Sequence, residues 1–154
     1  MRHNKAGFKL KRNVSARRAL LRNIVTSVIL EERVITTVPK AKAAKPIIDQ
    51  IITLAKRDNK DEVLHARRQA AAYLMTPASV QKLFDQIGPR FATRNGGYTR
   101  VVRVGFRKGD GAETAVLELV GSELVRRSAD RAKRREEKLK AMQEGREGGG
   151  PTAS

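Results

Sequence analysis

Apolar side chains recur along this chain with two different periods, and the change of period divides it. From Leu20 to Ile29 they fall in two adjacent rows, Leu20, Ile24, Val28 and Leu21, Val25, Ile29. That spacing predicts one buried helix face, with Ser15 as N-cap and an end near Leu30. Arg33 to Val38 is short and rich in β-branched residues, the composition of a strand that stops at Pro39. Helical spacing returns in Ile47, Ile48, Ile51, Ile52 and Ala55, with Thr37 as cap and Pro39 in the first turn. Pro46 lacks a backbone donor and predicts a kink or a later start. Asn59 with Glu62 opens a third helix to about Leu74, where Ala70 to Ala72 permits close packing. Thr76-Pro77 opens a fourth, with Val80, Leu83, Phe84 and Ile87 on its apolar face and Gly88-Pro89 as its stop.

Past Gly97 the period becomes two. Tyr98 to Phe106 sets Val102, Val104 and Phe106 against Thr99, Val101 and Arg103. Thr114 to Val120 sets Ala115, Leu117 and Leu119 against Val116, Glu118 and Val120, and Lys108 to Gly111 supplies the turn between the strands. The order α-β-α-α-α-β-β predicts an α/β (α+β) domain over residues 14–121: a two-layer sandwich with helices on one face of a small three-stranded mixed sheet. Residues 1–13 show neither period and predict an extended basic arm that orders only on binding. Residues 122–154 predict a charged helical segment followed by a low-complexity tail.

Charge adds the partner. The 154 residues carry a formal net charge of +17, a self-repulsion that a dense polyanion would relieve. Residues 1–22 hold eight Lys and Arg and no acid, and residues 90–108 hold six and no acid. In the second cluster Phe91, Tyr98 and Phe106 stand among the cations, and Gly96-Gly97 allows close backbone approach. Guanidinium groups fork onto phosphate or stack on bases, so the mixture predicts RNA binding.

Other chemistry is thinly supported. The absence of cysteine excludes disulfides and thiolate metal sites. His3 and His65 fall in different elements, so no metal is expected, and Gly105, Gly109 and Gly111 lack the Lys-Ser or Lys-Thr pair of a nucleotide loop. No carboxylate pair or activated serine points to catalysis, and neither a cofactor nor a small-molecule substrate is expected. No apolar run approaches the roughly 20 residues of a membrane span, and no signal-peptide core follows Met1, so a cytoplasmic protein without a membrane partner is expected. A DNA-compacting or regulatory protein shares the charge but would show a recognition helix; an RNA-modifying enzyme would need a catalytic constellation.

Several stretches together carry a resemblance: Met1-Arg2-His3 with Lys5 and Gly7; Leu10, Arg12, Arg17 and Arg22-Asn23; Thr36-Thr37 and Lys40-Ala41-Lys42; Ile52 to Lys56; GPRFATRNGGYTR from Gly88; and Gly105 to Asp110. In register over about residues 1–120, they resemble the seventeenth family of bacterial large-subunit ribosomal proteins. The chain departs at Ala16, where that family often has histidine, so no imidazole contact carries over there. The resemblance implies a non-enzymatic ribosomal constituent with a mixed-sheet α/β fold. It implies binding to large-subunit ribosomal RNA on the solvent side near the peptide exit tunnel, among neighbouring ribosomal proteins. The RNA contacts it implies are Arg2, His3, Lys5 and Arg12 in the arm; Arg17, Arg18 and Arg22 on the first helix; and Arg90, Arg94, Tyr98, Arg100, Arg107 and Lys108 in the glycine-rich region. Lys9 and Lys11 join them on charge alone.

Overall fold

The computed structural model describes residues 7–56 and 60–121. The chain divides into Met1–Val120 and Gly121–Ser154, and the described residues, but for Gly121, belong to the first unit. The expected cap at Asn59 and the tail from residue 122 lie outside the described residues.

Helix α1 spans Val14–Glu31. Its cap is Asn13 rather than Ser15: the Asn13 side chain accepts from the Ala16 amide at 2.9 Å, and the Ser15 hydroxyl donates to that same side-chain oxygen at 3.2 Å. An amide oxygen two residues earlier reaches the free N–H better, which moves the start back by two residues, to Val14. Ile24, Val25, Val28 and Ile29 are buried as the rows require. The helix closes on Glu32, whose backbone is left-handed (φ 60°) and whose N–H donates to the Val28 carbonyl at 2.9 Å. Strand β1 (Arg33–Thr37) follows at once.

Helix α2 (Val38–Ala55) runs through Pro46 unbroken. The proline ring is exposed, and the carbonyl it leaves without a donor belongs to exposed Lys42, so water can replace the missing bond. Its buried side chains Ala41, Ala44, Ile48, Ile51, Ile52 and Ala55 make α2 the central core helix. Helix α3 (Lys60–Tyr73) turns Ala66 and Ala70 inward. Then α4 (Pro77–Lys82), a π turn over Leu83–Ile87 and α5 (Gly88–Arg90) form one helical run. The expected stop at Gly88 is thus corrected. Gly88 is right-handed, with φ −52° and ψ −58°, and a Cβ built there would stand 2.6 Å from the Ala55 carbonyl oxygen. The glycine serves close helix packing instead of chain reversal.

Strands β2 (Thr99–Phe106) and β3 (Glu113–Leu119) form the hairpin, and the sheet order is β1-β3-β2. Both pairings are antiparallel, which corrects the mixed sheet that was expected. β1 and β2 do run the same way, but β3 separates them, so no parallel pair forms. Helices α1 and α2 pack on the inner face against Ala115, Leu117 and Leu119. Alternation in β2 also breaks: Arg103 faces Ala115 but Gly105 faces Thr114, leaving Val104 as a bulge. One extra residue reverses the parity, so Phe106 opposes Glu113 and does not share a face with Val102.

Candidate nucleic-acid interface

Elements position the basic residues in two groups. The first precedes and opens α1. Arg12 N–H donates to the Lys9 carbonyl at 3.2 Å, closing a turn with Leu10 and Lys11 both left-handed (φ 53° and 51°). This part of the arm is therefore folded back, not extended, because the turn and the Asn13 cap satisfy its backbone locally. Lys9, Lys11, Arg12 and Arg18 are exposed and Arg17 is half-buried, and none has a carboxylate partner among the described residues. No acid stands in the first turn of α1, so its positive dipole end adds to these charges. Such an arrangement opposes folding slightly and favours an anion. Arg2, His3 and Lys5 lie outside the described residues.

Arg22, on the same helix, is differently used. Its Nε donates to the Tyr73 carbonyl at 2.6 Å and its Nη2 to the Ala72 carbonyl at 3.0 Å. Carbonyls at a helix C-terminus lack intrahelical donors, and a planar fork satisfies two of them. Burial raises the Tyr73 phenol pKa, with Arg22 pulling against it.

The second group surrounds the glycine-rich loop. Here the structure separates side chains the sequence had put together. The Tyr98 ring is 3% exposed and meets Phe91 edge-on, with centroids 5.3 Å apart. A ring so covered presents no face to a base, which corrects the role expected from its position in the motif. It anchors the loop instead. Lys56, not among the expected site residues, donates from Nζ to the Arg94 carbonyl at 2.6 Å and lies 3.4 Å from the Tyr98 hydroxyl. The Thr99 hydroxyl donates to Asp49 at 3.0 Å, and Gly96 and Gly97 take positive φ of 115° and 60°. Pinned this way, the loop holds Arg94 and Arg100 exposed, Arg94 with only its Nε committed, at 3.1 Å to the Gly96 carbonyl.

Arg90 and Arg107 are engaged within the protein. Arg90 Nη1 donates to Glu32 at 2.9 Å, Lys82 Nζ stands 3.4 Å from the same carboxylate, and the Arg90 guanidinium lies over the Phe91 ring at 5.2 Å. Arg90 Nε and Nη2 are buried without hydrogen-bond partners, so this side chain is turned into the body. Arg107 grips Asp110 through two bonds of 3.0 and 2.5 Å. With the Ala112 amide, these lower the Asp110 carboxyl pKa to about 2. Lys108 remains exposed.

Because Arg90 is tied to Glu32 at the C-terminal end of α1, and the arm enters at its N-terminal end, α1 acts as the spacer between the groups. Its 18 residues correspond to about 27 Å at the usual helical rise.

Comparison with known proteins then decides the family. The family model described as ribosomal protein L17 matches residues 20–120. The chain belongs to the ribosomal protein L17 family. Among its relatives, the large ribosomal subunit protein bL17 of Solibacter usitatus is 65% identical over 147 residues, covering 96% of this chain and 95% of the relative. That of Koribacter versatilis is 56% identical over 149 residues, covering 93% and 90%. That of Acidobacterium capsulatum is 57% identical over 123 residues, covering 80% and 74%. Membership makes the chain a structural constituent of the large ribosomal subunit, working in the bacterial cytoplasm. Ribosomal protein L17 is a structural rather than an enzymatic family. The model's match begins at Leu20, whereas alignments of 147 and 149 residues run through the arm or most of the tail as well.

Proposed function

We propose that this chain anchors large-subunit ribosomal RNA at two points separated by α1. One is the arm with the first turns of α1 (Arg2, His3, Lys5, Lys9, Lys11, Arg12, Arg17, Arg18). The other is the glycine-rich region, through Arg94, Arg100 and Lys108. The carrying observation is that exposed Lys9, Lys11, Arg12, Arg18, Arg94, Arg100 and Lys108 have no carboxylate partner among the described residues, whereas Arg22 and Arg90 are engaged inside the protein and Arg107 is paired with Asp110 at its surface. Unpaired guanidinium and ammonium groups on a scaffold this basic are what phosphate recognition uses. A position near the peptide exit tunnel follows from the resemblance and forms part of the proposal.

Affinity for structured large-subunit RNA measures the idea. If about eight phosphates are neutralised, log affinity falls against log salt with a slope on the order of −6 to −7. Removing residues 2–12 deletes five of the cations but keeps the Asn13 cap, and flattens the slope by about 4. A slope unaffected by that deletion overturns the first anchor; equal preference for duplex DNA overturns the RNA assignment.

A further inference from the structure

Among the described residues the helices cover one face of the sheet, and no element covers the other. Ile35 in β1 and Val102 in β2 both pair with Val116 in β3, so the three side chains form one row across the outer face. Val116 is 3% exposed because its neighbours shield it, while Ile35 and Val102 are 67% and 42% exposed. Farther along β2, Val104 at the bulge is exposed too, and so, on the opposite side of the hairpin, is Phe106. Half of the large apolar side chains exposed among the described residues thus sit on this sheet.

We propose that this outer face, with the distal half of the hairpin, docks a neighbouring protein of the large subunit rather than RNA. The occupant has a definite chemistry: a segment bringing aliphatic or aromatic side chains and little net charge. Charge supports that choice. Between Val101 and Thr114 three cations meet two carboxylates, and four of those five groups are already paired, Arg103 with Glu113 at 3.9 Å and Arg107 with Asp110. The next row on this face is Arg33, Glu118 and Arg100, with Arg33 Nε 4.0 Å from Glu118, so two cations there share one carboxylate. This is the opposite of residues 1–22, where no acid offsets eight cations. Branched aliphatic groups offer a nucleic acid neither a hydrogen bond nor a stacking plane, whereas protein interface cores are apolar and depleted in charge. In a particle made of RNA and protein, a near-neutral apolar face belongs to the protein side. The proposal rests on the family assignment, not on the RNA anchors.

The test uses intact large subunits carrying the full chain with a benzophenone amino acid at Ile35 or at Val102, both exposed and tolerant of replacement. A third preparation carries it at Arg18. After irradiation, the expected result is that positions 35 and 102 crosslink to the same segment of one other ribosomal protein, while position 18 crosslinks to ribosomal RNA. Crosslinks from 35 and 102 to RNA, to residues 122–154, to a second copy, or to nothing overturn the docking face. Failure at position 18 alone counts against the RNA anchor and leaves the docking result to stand by itself.

Discussion

Gly88 lies inside a helical run with right-handed backbone, so helix propensity alone says that alanine should stabilise it, by about 0.5–1 kcal/mol. Packing says otherwise. The added Cβ would sit 2.6 Å from the Ala55 carbonyl oxygen and 3.3 Å from its carbon, where ordinary contact begins near 3.4 Å. Relief requires α2 and the α4–α5 run to separate by about 0.8 Å along a core containing Ile51, Ile52, Leu83 and Ile87. Overpacking of this kind costs about 1–3 kcal/mol, and a backbone atom cannot rotate out of the way. Setting the two effects against each other leaves Gly88→Ala less stable by about 1–2 kcal/mol. For a body of this size that corresponds to a fall in Tm of roughly 4–12 °C. Thermal unfolding followed by circular dichroism, in enough salt to screen the net charge, gives the number. A companion variant isolates the cause: Ala55→Gly removes the Ala55 Cβ but not its carbonyl, so the double variant stays destabilised. A Gly88→Ala protein as stable as the parent, or more so, refutes the close-approach explanation.

Two further outcomes test the side-chain assignments. Arg22→Ala leaves the Ala72 and Tyr73 carbonyls without their donor and costs about 1–2 kcal/mol in urea unfolding, and Arg22→Lys restores little because one ammonium cannot reproduce the fork. If the salt slope for RNA falls by about 1 with stability unchanged, Arg22 is a phosphate contact after all. Asp110 titrates at about 2 instead of 3.8, so the ion pair's contribution is complete above 3.8 and lost as the pH falls through 2. Carboxyl NMR titration checks this, with Arg107→Gln returning the midpoint towards 3.8; a parent midpoint already near 3.8 refutes the bidentate geometry.

Periodicity made the elements legible. The rows on α1, the isoleucine pairs of α2 and the alternation of β3 each identify a buried face from spacing, because burial is a local pattern repeated along one element. Thr76-Pro77 marked a helix start even though the Thr76 side chain makes no capping bond, since the proline alone presets the first turn. What spacing could not carry was choice of partner. Arg22, Arg90 and Arg107 read as free cations beside Arg18 and Arg94, yet their acceptors lie on Tyr73, Glu32 and Asp110, and only the last is near in sequence. Tyr98 counted among the RNA contacts for the same reason: the Phe91 and Lys56 contacts that cover it arise from the loop folding back on α2. The bulge at Val104 left no sign beyond Gly105, whose φ of 143° is open to glycine alone.

The placing of β3 between its neighbours has a temporal meaning. β1 is translated some 80 residues before the strand it must pair with, and β2 borders β3 alone, so neither edge can be satisfied until the central strand arrives. The sheet therefore closes last, and folding has an order written into the wiring of three strands.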